Sequence, residues 1–84
     1  MTVHTFTASW DVWEMHPRGS EVVLCTAGTT TLHQETSDGR VKRTTLGPGE
    51  YAINDPQVRH TADVEDHATA VFVTAGLGTQ HRPR

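Results

Sequence analysis

The chain has 84 residues, 35% of them apolar and 20% charged, and a formal net charge of −3. A chain this short makes one domain, expected to occupy residues 1–84, and no apolar run nears the roughly 18 residues of a membrane span. Its seven Lys and Arg residues are scattered apart from Lys42-Arg43, Arg82 and Arg84, so nucleic acid and membrane are excluded as expected partners, and with no leader-like start the expected compartment is the cytoplasm.

Thr, Val and Ile supply 24 residues, 14 of them Thr, against four Leu and two Met. Such β-branched residues suit a pleated surface, and the predicted fold class is all-β. The first predicted strand covers 9–16 and is stopped by Pro17 and Gly19. Strand 21–27 follows and ends at Gly28; its Val-Val-Leu-Cys core buries Cys25, a lone cysteine that forms no internal disulfide. Strands 30–36 and 40–46 flank Ser37-Asp38-Gly39, where Asp-Gly between β-branched runs marks a hairpin. Gly47-Pro48-Gly49 turns the chain into strand 50–54, Pro56 precedes a strand at 58–64, and strand 68–74 is closed by Gly76 and Gly78. Seven short strands with turn signals every eight to twelve residues are the pattern of a sandwich or barrel.

The chemistry concentrates in "EMHPRGSE", residues 14–21. Side chains alternate along a strand, so Glu14 and His16 share a face while Trp13 and Met15 take the other. If the next strand pairs in the usual hairpin register, Glu21 reaches the face of His16. His60, just after the Pro56 turn, is the candidate fourth donor, although spacing alone does not bring residue 60 to residues 14–21. A polar hairpin with solvated histidines is the competing reading.

The stretch "EMHPRGSEVVLCTAG" resembles the first motif of the cupin superfamily, G-x5-H-x-H-x(3 or 4)-E-x6-G. Glu14 stands at the first His position, His16 matches the second, Glu21 and Gly28 match the Glu and last Gly, and Ala8 replaces the opening Gly. The second motif, G-x5-P-x-G-x2-H-x3-N, is matched by Gly49 and His60, with Asp55, Gln57 and Val64 in place of its Pro, Gly and Asn. The run Trp13 to Pro17 and the ending "VFVTAGLGTQHRPR" look like those of small single-domain bacterial cupins of undefined function. The resemblance implies a small cupin-type double-stranded β-helix, a jelly-roll barrel of two antiparallel sheets. It further implies that His16, Glu21 and His60 are metal ligands in the lumen, with Glu14 a fourth ligand in place of the usual His. The start is shorter than in many such proteins, so a missing sheet edge is expected to come from a second chain, making a homodimer.

Two imidazoles with one or two carboxylates form a nitrogen and oxygen donor set suited to a divalent transition metal ion: Fe, Mn, Ni or Zn. The expected function is that of a metal-binding cupin, acting on a small organic substrate as an oxygenase, isomerase or lyase. A non-catalytic module binding metal or a small molecule, or a structural dimeric barrel, is the alternative. The inward candidates for moving a proton are Tyr51 and, if it is not a ligand, Glu14. Trp10 and Trp13 are read as core or contact residues or as the pocket mouth, His33 and Arg59 as outward-facing, and His4, His67 and His81 as solvated. The closing "GLGTQHRPR" is read as a tail that covers an edge or a partner.

Overall fold

The computed structural model describes residues 1–74 and 76–84. Nine strands follow in chain order: β1 (Thr2–Phe6), β2 (Val12–Met15), β3 (Glu21–Gly28), β4 (Thr30–Glu35), β5 (Val41–Leu46), β6 (Tyr51–Asn54), β7 (His60–Asp63), β8 (Ala68–Val73) and β9 (Gln80–Pro83). They form two antiparallel sheets, one in the order β1-β8-β3-β6 and one in the order β5-β4-β7-β2-β9. The predicted all-β jelly roll is therefore the observed fold, and it contains no helix that could cross a membrane among the described residues.

The seven predicted strands are all present, and β1 and β9 are additional. Both are exposed along most or all of their length and lie at sheet edges, so neither has the apolar alternation of a half-buried strand. β9 even contains Pro83, which an edge strand tolerates because one side of its backbone needs no partner. β1 forms the edge beside β8 in the four-stranded sheet.

The expected β2–β3 hairpin does not form. β2 pairs with β7 and β9, whereas β3 pairs with β6 and β8 in the other sheet. The Pro17 to Ser20 connection crosses from one sheet to the other, and the faces carrying Glu14 and Glu21 meet across the lumen.

Alternation places Val23, Cys25, Ala70 and Phe72 of β3 and β8 inward, where they pack with Leu46 and with partly buried Phe6, Trp10 and Ala52. Gly28 ends β3 at φ 70°, a left-handed conformation, and a Cβ there would come within 2.1 Å of the His67 carbonyl oxygen. The last Gly of the first motif is thus explained by close backbone approach as well as by dihedral freedom.

Candidate metal centre

All four sequence-predicted donors come together at one end of the lumen. Glu14 and His60 are direct cross-strand partners on β2 and β7, His16 lies one residue beyond β2, and Glu21 opens β3 in the facing sheet. His16, Glu21 and His60 are buried, His60 fully, and Glu14 is partly buried. One donor atom each from Glu14, His16 and His60 lie within 4.8 Å of one another. Glu21 bridges the two rings, with Oε2 3.1 Å from His16 Nε2 and Oε1 3.1 Å from His60 Nε2.

The hydrogen bonds on the far sides of the rings determine which nitrogen faces this carboxylate. His60 Nδ1 lies 3.3 Å from the Val58 carbonyl, which can only accept, so Nδ1 carries the proton. The single hydroxyl proton of Thr79 goes to the Gly76 carbonyl at 3.0 Å, so Thr79 Oγ1 accepts from His16 Nδ1 at 2.9 Å. In the neutral rings both Nε2 atoms are therefore bare lone pairs, and both are buried without a hydrogen-bond partner. Lone pairs facing carboxylate oxygens at 3.1 Å call for positive charge between them, either a proton on each Nε2 or a metal ion.

Outer contacts hold the remaining donors. Gln34 Nε2 donates to Asn54 Oδ1 at 2.7 Å, and Asn54 Nδ2 donates to Glu21 Oε1 at 3.2 Å. Burial pushes the Glu21 carboxyl up, but positive charge on the facing His60 and His16 rings, with the Asn54 amide, outweighs it and holds the group below its ordinary value. Glu14 Oε2 is 3.1 Å from His81 Nε2 while its Oε1 is 3.9 Å from His60 Nε2.

Beside the donors lies a cavity of about 370 Å³, within the range of small-molecule sites. Phe6, Trp10 and Phe72 form its apolar wall; Trp10 stands 5.8 Å from Phe72 and 6.3 Å from the His60 ring. Trp10 thus belongs to the core and to the pocket, as both sequence readings of it allowed. No Lys or Arg lines the cavity among the described residues.

Two histidines read as solvated are exposed, as expected, yet touch the site, and a third residue lies elsewhere than expected. His4 lines the cavity, its ring 5.8 Å from Phe72, because β1 turns its even-numbered residues inward. His81 contacts Glu14 because β9 pairs with β2, bringing residue 81 opposite residue 14. Tyr51 is 63% exposed on the outer face of the four-stranded sheet and is not a lumen residue. Thr79 was not singled out at all. Neither residues 2–6 nor residues 79–81 carry a local pattern that indicates their partner strands. His33 lies on the face away from the donors, as read, but is buried there, its Nε2 meeting Asp63 Oδ2 at 2.7 Å.

No protein-family model matches the chain, and no curated protein sequence matches it. Solved structures do. Peruvianin-I, a cysteine peptidase from Thevetia peruviana latex, is 26% identical with a TM-score of 0.75 over 96% of this chain and 52% of its own. An oxalate oxidase in complex with the substrate analogue glycolate is 16% identical, with a TM-score of 0.77 over 93% of this chain and 43% of its own. Protein NMB1881 from Neisseria meningitidis is 20% identical, with a TM-score of 0.69 over 83% of this chain and 66% of its own. The chain thus spans between about two fifths and two thirds of these neighbours' length. Sheet order, lumen and neighbours agree with the motif resemblance: the chain has the cupin fold.

Proposed function

We propose that this cupin holds a divalent transition metal ion, Fe, Mn, Ni or Zn, through His16, Glu21 and His60, with Glu14 as a fourth donor. The observation that carries the reading is the pair of buried, unpartnered Nε2 atoms on either side of the Glu21 carboxylate. These residues would hold the ion beside the aromatic cavity, where it would polarise a small organic molecule or bring it to a second reactant. Glu14 and Glu21 together neutralise a divalent ion, and the cavity adds no cationic side chain. A neutral, partly apolar substrate suits this site better than an organic dianion. The reaction class is that of an oxygenase, isomerase or lyase.

Elemental analysis of untagged protein purified without chelator tests the reading. Near-stoichiometric metal that disappears in the His16→Ala, His60→Ala double variant, with the far-ultraviolet spectrum retained, is expected. Stoichiometric metal in the double variant, or no uptake of any of the four ions by the native chain, overturns it.

A non-catalytic binding module is the second reading. It is favoured by the outward position of Tyr51, which leaves Glu14 as the only sequence-proposed proton carrier in the lumen.

For assembly, we propose a second copy of this chain on the outer face of the four-stranded sheet. Val3, Val22, Leu24, Tyr51, Ile53, Val71 and Val73 share that face in continuous register, with no charged residue among them. Four strands about 4.8 Å apart and about 20 Å long present roughly 400 Å² per copy, a size that fits a weak, exchanging dimer.

A further inference from the structure

The residues that orient two of the four donors come from a single short segment that the cupin motifs do not include. Thr79, just before β9, accepts the Nδ1 proton of His16; His81, on β9, lies 3.1 Å from Glu14 Oε2. Two residues apart, both side chains are directed at the lumen, whereas Arg82 between His81 and Pro83 faces outward over the Trp13 ring at 5.7 Å. We propose that the 79–81 segment supports half of the metal centre from outside, Thr79 and His81 acting as positioning residues for His16 and Glu14. The inference rests on the proposed metal site and goes beyond it, since neither residue touches the ion.

For Thr79 the argument is directional. Its hydroxyl proton is committed to the Gly76 carbonyl at 3.0 Å, so the oxygen presents only lone pairs to His16. This selects the ring tautomer with Nδ1 protonated and leaves Nε2 free to face Glu21. Without the acceptor, the other tautomer gains a hydrogen bond from Nε2 to Glu21, and the donor atom is blocked. For His81 the argument is positional. Glu14 is partly buried at the lumen mouth and can swing toward solvent; the contact through Oε2 restrains it with Oε1 on the His60 side. Removing the support of a first ligand typically weakens metal binding by about 10- to 100-fold.

The test measures Zn(II) and Mn(II) affinity by competition with a chelating indicator, and the Co(II) absorption spectrum, on the native chain and on Thr79→Val, Thr79→Ser, His81→Phe and His81→Gln. The expected result is a loss of about 10-fold or more for Thr79→Val and for His81→Phe with an altered Co(II) spectrum. Thr79→Ser, which keeps the hydroxyl, and His81→Gln, which keeps a donor, should recover most of the loss. Valine and serine variants that bind alike, or a Co(II) spectrum unchanged in both Thr79→Val and His81→Phe, overturn this supporting role while the native chain's binding still supports the metal site. A native chain that takes up none of these ions overturns both.

Discussion

Gln57 occupies the position where the second cupin motif has glycine, and its backbone keeps the left-handed conformation, φ 69°. A side chain there costs about 1–2 kcal/mol. The turn is held nonetheless, because the Gln57 amide donates to the His16 carbonyl at 3.0 Å and so seats the His60 turn against the ligand-bearing segment. Gln57→Gly is expected to raise the unfolding free energy by about 1 kcal/mol, part of the relief being offset by the greater freedom of glycine in the unfolded chain. Urea denaturation measures it, and an unchanged midpoint would mean that the glutamine is not strained. Gly28→Ala should act oppositely and more strongly, by about 2–4 kcal/mol, since the new methyl collides with the His67 carbonyl and the dihedral is unfavourable as well. Of the two motif glycines, one is sterically required and the other has been replaced at a conformational cost.

At the scale of strands, β2 to β8 were legible because the chain is rich in β-branched residues and is divided by Gly, Pro and Asp-Gly turn signals, and the face shared by Glu14 and His16 followed from alternation alone. The partner of β2 was not legible. Nothing local in Pro17 to Ser20 distinguishes a hairpin from a connection between sheets, and only the cupin resemblance implied that residue 60 joins residues 14–21. β9 was invisible for a different reason: it is held by its neighbours rather than by its own apolar pattern. Arg82 bonds Glu35 at 2.8 Å, and Arg84 bonds the Trp10 carbonyl and the Asp63 carboxylate. Arg84, opposed by burial and helped by His33, holds the Asp63 carboxyl below its ordinary value. A carboxyl depressed by folding stabilises the fold while ionised; that contribution is present above the ordinary carboxylate range and is lost as pH falls through the depressed value. Arg84→Ala should therefore move the acid-unfolding midpoint to higher pH, followed by circular dichroism, while high salt narrows the difference between variant and native chain.

The molecule as a whole is two sheets with unlike outer faces. The five-stranded sheet carries Glu35, His33, Asp63 and Arg82 in ion pairs, whereas the four-stranded sheet presents the apolar register around Leu24 and Val71. Sedimentation of the native chain should show a concentration-dependent dimer, and Ile53→Glu, placing a charge on that face, should leave a monomer with metal content unchanged. A native chain that is monomeric throughout, or a variant that still dimerises, would exclude this face.

Glu14 and His60 belong to one sheet, Glu21 to the other, and His16 to the connection between them. An ion held by all four would rivet the two halves of a barrel that has no disulfide to do so. Because a bound ion favours only the folded chain, its removal lowers the folded population as well as emptying the site. The chain's lifetime against proteases would then follow metal supply, so that a cell short of the ion would lose the protein itself and not merely its occupancy.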